Sequence, residues 1–330
     1  MDPYFETLVL QSTGAEAIVN QEEIQSLWSG YGQILRLWLK GCSMKSVVVK
    51  HVRLPENNNH PRGWNTNLSH NRKVKSYEVE TEWYLNLSRK SNEYCKLPIC
   101  YALETKGKEV FMILEDLDVA GYPVRKSFVN GNEMEACINW LANFHATFMH
   151  VKPDGLWQKG TYWHLETRPE ELEVLDDLPL KNAAEAIDQK LDDTPYKTLV
   201  HGDAKLANFC FSKSGTEVAA VDFQYVGGGC GMKDLAYFVG SCLDEEACEA
   251  LEENILNTYF SAFKNALERS KKEINVKELE ENWRNLYPFA WTDFHRFVKG
   301  WSPGHWKIHS YSERLSKEVI ESINIQKALK

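Results

Sequence analysis

A change of texture near residue 115 constrains the fold of this chain more than any other feature of its sequence. Before it, β-branched and aromatic runs at residues 4–11, 23–28, 33–39, 46–53 and 109–114 predict short strands, with the second and third joined as a hairpin. Residues 55–69, rich in Asn and Pro, read as an exposed loop ahead of a helix over about 70–89. Val74, Tyr77, Trp83 and Leu87 supply that helix with an apolar face. After residue 115 the apolar residues recur at helical spacing. Asn132 with Glu135 looks like a capping box before the stripe Met134, Cys137, Ile138, Leu141, Phe144 and Phe148. A second stripe follows Asp244, through Ala247, Leu251, Ile255, Tyr259, Phe263 and Leu267. Asn275 with Glu278 opens a third helix that Pro288 is expected to kink or interrupt. At 330 residues the chain exceeds the roughly 250 to 300 that one core usually organises. The expected fold is therefore α+β and bilobal: a small β-rich lobe with one helix over 1–115, a hinge over 116–122, and a larger, mainly helical lobe over 123–330. The cleft between two such lobes is the natural place for a small-molecule site.

The charge balance removes one class of partner. Lys and Arg number 38 and Asp and Glu 47, a formal net charge of -9, which is not the electrostatic footprint of a nucleic-acid binder. No apolar run exceeds five residues, against about 20 for a membrane span. The start Met1-Asp2-Pro3-Tyr4 lacks the basic and apolar segments of a secretory signal, so the expected location is cytoplasmic. Eight cysteines without a C-x-x-C pair predict reduced thiols rather than a zinc site or a disulfide framework.

The chemistry is concentrated in His201-Gly202-Asp203-Ala204-Lys205-Leu206-Ala207-Asn208 and, after a predicted hairpin over 208–212 and 217–223, Asp222-Phe223-Gln224. Phosphoryl transfer needs a carboxylate to orient and deprotonate the attacking hydroxyl, a cation on the moving group, and oxygen ligands for Mg²⁺ on the phosphates. Asp203 suits the first task and Lys205 the second, while Asn208 and Asp222 suit the third. Folding back of the hairpin brings Asp222 near Asn208 although fourteen positions separate them. His201 reads as a buried hydrogen-bonding anchor for the loop rather than as the base.

This pattern resembles the aminoglycoside phosphotransferase and choline kinase superfamily of protein-kinase-like small-molecule kinases. Gln224 stands where the protein-kinase D-F-G motif has Gly. Residues 113–117 (Ile-Leu-Glu-Asp-Leu), 142–146 (Ala-Asn-Phe-His-Ala), 160–164 (Gly-Thr-Tyr-Trp-His) and 294–306 are similar to the ecdysteroid-kinase-like branch. That branch more often has Leu-Trp where this chain has Ala204-Lys205. The resemblance spans about residues 30–306. It implies a protein-kinase-like fold, ATP and Mg²⁺ as cofactors, and a small-molecule hydroxyl as phosphoryl acceptor.

In the small lobe, Val47-Val48-Val49-Lys50-His51-Val52 resembles the kinase strand whose Lys holds the α- and β-phosphates. A lysine in an apolar strand needs a carboxylate. Glu78, Glu80 and Glu82 are candidates, and Glu80 fits the family pattern Glu-x-x-aromatic-Tyr. Gly30 and Gly32 could let a turn close over phosphates, or could simply make a β-turn. Glu115 and Leu117 lie where backbone groups could meet an adenine edge, or where a plain linker runs. Trp291, Phe294, Phe297, Trp301 and Trp306 have the spacing of core residues, and some could line an acceptor pocket. Three rival readings remain at this stage: a nucleotide-binding pseudokinase, a protein kinase, for which no activation segment is evident, and a metal-dependent phosphohydrolase.

Overall fold

In the computed structural model, which describes residues 2–27, 30–54 and 67–329, the chain begins with a helix, α1 (Pro3–Thr13), where the sequence predicts a strand. The local code explains the difference. Asp2 Oδ1 accepts from the Tyr4 N-H at 2.9 Å, Pro3 occupies the first turn, and Gly14 ends the helix in the left-handed region at φ 68°. Phe5, Val9 and Thr13, spaced by four, are the buried face, and Phe5 stacks on Phe111 with centroids 4.2 Å apart.

Five antiparallel strands follow: β1 (Ala17–Ser26), β2 (Gly32–Lys40), β3 (Ser46–Arg53), β4 (Cys100–Lys106) and β5 (Glu109–Glu115), in the order β1-β2-β3-β5-β4. β4, an edge strand with no fully buried position, leaves no strand signal in the sequence, and β1 starts earlier than its pattern indicates because most of it is exposed. Between β3 and β4 lies α2 (Asn67–Glu82), continued by a wide turn over Trp83–Leu87 and a tight one over Ser88–Lys90. The expected helix is thus present, but its last part is not α-helical. The wide turn carries Trp83, fully buried, onto Phe223 at 4.8 Å. Of the loop expected over 55–69, residues 55–66 lie outside the described residues and 67–69 already belong to α2, which starts earlier than the apolar pattern indicates.

The rest is mostly helical. α3 (Gly131–Thr147) is capped by Asn130 with Glu133, two residues before the expected pair; the segment offers Asn-x-x-Glu twice, and the earlier copy closes both reciprocal bonds. The short α4 (Pro169–Glu173) and α5 (Leu178–Asp192) lead to β6 (Thr198–Val200). Next come the hairpin β7 (Phe209–Phe211) and β8 (Val218–Ala220), and then β9 (Gly227–Gly229), which pairs with β6. Four helices complete the chain: α6 (Met232–Cys242), α7 (Glu245–Ser270), α8 (Val276–Trp301) and α9 (Ser310–Ala328). Asp244 caps α7, and Asn275 caps α8 as the sequence predicts. Pro288 does not interrupt α8. Tyr287, Ala290 and Trp291 around it are buried, so packing on both sides of the proline outweighs the lost hydrogen bond.

One core runs from Trp83 and Leu97 through α3, β6 and α6 to α7 and α8; a smaller one lies between α1 and the five-stranded sheet. The architecture is α+β in two lobes. All eight cysteines are free, and among the described residues no helix is long and apolar enough to cross a membrane.

Candidate active site

Lys50 sits in the middle of β3, its register fixed by pairing with Ile34 and Met112, and only 5% of it is exposed. Its ammonium donates to both Glu80 oxygens, at 2.9 and 2.6 Å, across the gap to α2. Of the three glutamates the sequence offers, Glu80 is the one turned inward; Glu78 is exposed and bridges to Lys75. Asp222 Oδ1 is a second neighbour of Lys50, at 3.5 Å. Burial opposes the Lys50 charge, but these two carboxylates outweigh it and hold the ammonium above its ordinary pKa.

Across the cleft, Asp203 follows β6 and is nearly sealed from bulk solvent. Its Oδ2 accepts from Lys205 Nζ at 3.0 Å and from Asn208 Nδ2 at 3.0 Å, and Tyr237 OH lies 3.2 Å from its Oδ1. Burial raises the Asp203 pKa and the Asp222 charge adds to it, with Lys205 pulling the other way. The hairpin performs the expected manoeuvre. Phe209 pairs with Ala220, and the Val221 N-H donates to the Asn208 carbonyl at 3.0 Å, so Asp222 emerges beside Asn208. Asp222 is held at φ 71°, a costly backbone for a residue other than glycine, and its Oδ1 is buried without a hydrogen bond. Burial works against its charge, yet Lys50, Lys73 and Lys205 keep its pKa low. A Mg²⁺ ion fits this donor set. Asn208 commits its amide N-H₂ to Asp203, which leaves its carbonyl oxygen and the orphaned carboxylate oxygen of Asp222 as hard ligands, with phosphate and water to complete the shell.

Lys50, Glu80, Asp203, Lys205, Asn208 and Asp222 are thus joined by direct contacts or through one neighbour. Gly30 and Gly32 are not part of that cluster. A Cβ at Gly32 would fall 2.0 Å from the His51 carbonyl, so its glycine is required by the approach of β3. Gly30, at φ 76°, faces open space. The Glu115 carboxylate is tied to Lys96 at 2.5 Å, and its N-H donates to the Ile99 carbonyl at 2.8 Å. Leu117 packs on Cys210 and Ala219 of the hairpin. Its carbonyl is taken by Tyr122, and its N-H has no partner among the described residues.

Several residues that build the site carry no clear sequence signal. Asp234, in the first turn of α6, reads as an ordinary helix-start charge, yet it is fully buried. It accepts the His201 and Gly202 N-H groups and meets His145 Nε2 at 3.0 Å. His201 accepts from the Asp203 N-H at Nδ1, which leaves Nε2 to donate to the Val221 carbonyl, and its ring packs on Phe223. Asp203 and Asp222 are therefore linked through a structural histidine. Gly202 has no room for a side chain: a Cβ would lie 2.0 Å from the Tyr225 carbonyl. Asp116 receives Arg36 and Ser46, fixing the chain just after β5. Lys73 reads as one more charge on α2, but its ammonium donates to Gln224 Oε1 at 2.7 Å beside the cleft. Burial pushes it down to a pKa of about 8, against the pull of Asp222.

A sequence model of the ecdysteroid kinase-like family matches residues 40–159 and 157–272, a span that includes each member of this cluster. The chain belongs to the ecdysteroid kinase-like family. Among curated proteins, none matches it significantly in sequence. Similar solved structures include a microcompartment-associated aminopropanol kinase, 14% identical over 96% of this chain and 93% of that one, at a TM-score of 0.49. The GDP complex of aminoglycoside 2'-phosphotransferase-IIIa is 11% identical over 97% and 98%, at 0.48. Choline kinase LicA from Streptococcus pneumoniae is 12% identical over 96% and 98%, at 0.43. In this ecdysteroid kinase-like chain, the helix that pairs with the buried lysine is inserted between the third and fourth strands of the five-stranded sheet, and the loop and hairpin with the acidic residues follow in the helical lobe.

Proposed function

We propose that this protein is an ATP- and Mg²⁺-dependent phosphotransferase that moves the γ-phosphoryl group of ATP to a hydroxyl of a small molecule. The observation that carries this reading is the orphaned, inward-aimed Asp222 Oδ1 between Lys50 and the Asp203-Lys205-Asn208 group. Residues 1–115 would form the nucleotide lobe, 116–122 the hinge and 123–330 the catalytic lobe.

In this scheme the Leu117 N-H and the backbone of Glu115 meet the adenine edge, and Gly30 and Gly32 border the phosphates. Lys50, oriented by Glu80, holds α- and β-phosphate oxygens. Asn208 and Asp222 hold Mg²⁺, which when bound neutralises charge on the phosphate oxygens. Asp203 accepts the proton of the acceptor hydroxyl as its oxygen bonds to the γ-phosphorus and the bond from that phosphorus to the bridging oxygen breaks, releasing ADP. Lys205, already against Asp203, offsets charge on the group in transit.

The test measures ADP and free phosphate together, with and without alcohol acceptors. Transfer gives ADP matched by phosphorylated acceptor and little free phosphate. Phosphate release without an acceptor would make the protein a hydrolase, and ATP binding without either product would make it a pseudokinase.

A further inference from the structure

Lys307 lies in the segment between α8 and α9, and its ammonium sits inside a box of aromatic rings. Its Nζ is 5.0 Å from the centroid of Tyr237, 5.2 Å from Phe294 and 5.6 Å from Trp306. Tyr237 is also the residue whose hydroxyl lies 3.2 Å from Asp203 Oδ1. The box therefore lies beside the proposed base. Trp306, 59% exposed, forms its outer wall.

The other cleft lysines have polar protein partners: Lys50 has Glu80, Lys205 has Asp203, and Lys73 has Gln224. Lys307 is different. Among the described residues its ammonium makes no ion pair and no hydrogen bond, although the residue is part-buried. The faces of three rings attract a cation, but they give its N-H groups no acceptor atoms. Burial accordingly pushes its pKa down to about 8, with Asp203 holding it up and Lys205 adding to the fall.

Two consequences follow for an acceptor. A ring box next to a base is the kind of site in which an amine or quaternary ammonium would be held, and here a side chain of the protein already fills it. The unanswered donors of that same side chain then favour a negative group at the mouth of the box. Lys205 is 3.0 Å from Asp203 and Lys307 is near enough to interact with its charge, so both reduce the repulsion that an anion approaching the carboxylate would meet.

We propose that Lys307 is a specificity-determining residue, and that the acceptor is a hydroxyl compound carrying its own anionic group, such as a carboxylate, sulfate or phosphate, with amine-bearing alcohols excluded. This deepens the kinase reading above and rests on it for the position of the reacting hydroxyl.

The test uses the full chain loaded with Mg²⁺ and a non-hydrolysable ATP analogue. Three alcohols on one scaffold are titrated calorimetrically: 4-(hydroxymethyl)benzoate, the corresponding amide, and 4-(hydroxymethyl)benzylamine. The expected order is the benzoate tighter than the amide by about tenfold or more, and no detectable binding of the amine. Lys307→Met should bring the benzoate to the level of the amide and admit the amine; Lys307→Gln serves if the apolar variant does not fold. An amide or amine that binds the wild type as well as the benzoate, a failure of all three to bind, or an order unchanged in the variants would overturn the proposal. A parallel incubation with labelled ATP separates the two claims: preferential benzoate binding without transfer counts against the kinase reading alone.

Discussion

Glu80 on α2 closes on Lys50 of β3 with a shortest contact of 2.6 Å, and only 1% of the glutamate is exposed. Two charges taken out of water at this distance depend on each other, because removal of either strands its partner in a low-dielectric interior. Glu80→Ala should therefore destabilise the protein by about 3 kcal/mol, the lower end of the usual cost of breaking such a pair, because Asp222 at 3.5 Å takes over part of the lysine's charge. Combining Lys50→Met with Glu80→Leu should recover most of that loss, since an apolar pair leaves no stranded charge. Urea unfolding of the single and double variants checks both; a single variant as stable as the wild type would show that the pair is not coupled.

Asp203→Asn keeps the side-chain shape but removes the proton acceptor. Turnover should fall by roughly 10² to 10⁴, about 3 to 5 kcal/mol in barrier, with the unfolding midpoint little changed. Burial raises the Asp203 pKa above the ordinary aspartate value of 3.8. A base works only when deprotonated, so kcat/KM should climb with pH through that raised value. The climb should be absent from the residual activity of the variant. Wild-type turnover by Asp203→Asn in an ADP-release assay would exclude Asp203 as the base.

Asp234 touches none of the groups proposed to react, yet it holds the N-H groups of His201 and Gly202. Asp234→Ala leaves those buried donors and His145 without their acceptor and should cost about 3 to 5 kcal/mol. Asp234→Asn, which retains one acceptor oxygen, should lose less stability while lowering kcat more than the nucleotide KM. Thermal melts with steady-state kinetics read both quantities. A full loss of nucleotide affinity in Asp234→Asn would instead place this residue in the nucleotide site.

Lys73 has a pKa of about 8 because burial disfavours its charge. Triphosphate oxygens nearby would favour the charged form, so binding of Mg²⁺ and ATP near pH 8 should draw a fraction of a proton onto the protein. Uptake should fade towards pH 6, where the lysine is already protonated. Calorimetric titrations in buffers of different ionisation enthalpy measure it, and Lys73→Met should abolish it. Equal apparent enthalpies in all buffers at pH 8 would place the phosphates away from Lys73.

The motif around residue 203 was legible because the proposed phosphoryl transfer restricts which side chains can stand at those positions. The hairpin between Asn208 and Asp222 was legible as well, since a polar Lys213-Ser214-Gly215-Thr216 turn between two apolar runs has few other ways to fold. Terminal and edge elements were less so. Residues 4–11 have a strand-like composition, but the Asp2-Pro3 cap and the burial of Phe5 against Phe111 decided for a helix. The cap of α3 slipped by two residues because two equivalent Asn-x-x-Glu copies compete for it.

By itself the sequence determined which residue types stand at the proposed site and that a β-rich lobe precedes a helical one, because residue type and periodicity are local properties. Only the tertiary structure decided which glutamate answers Lys50, that Asp234 organises the loop from beneath, and that Lys307 fills an aromatic box beside Asp203. Those relationships join side chains from about 30 to over 100 positions apart. Burial and charge at such contacts depend on how whole elements pack, a property that no local pattern encodes.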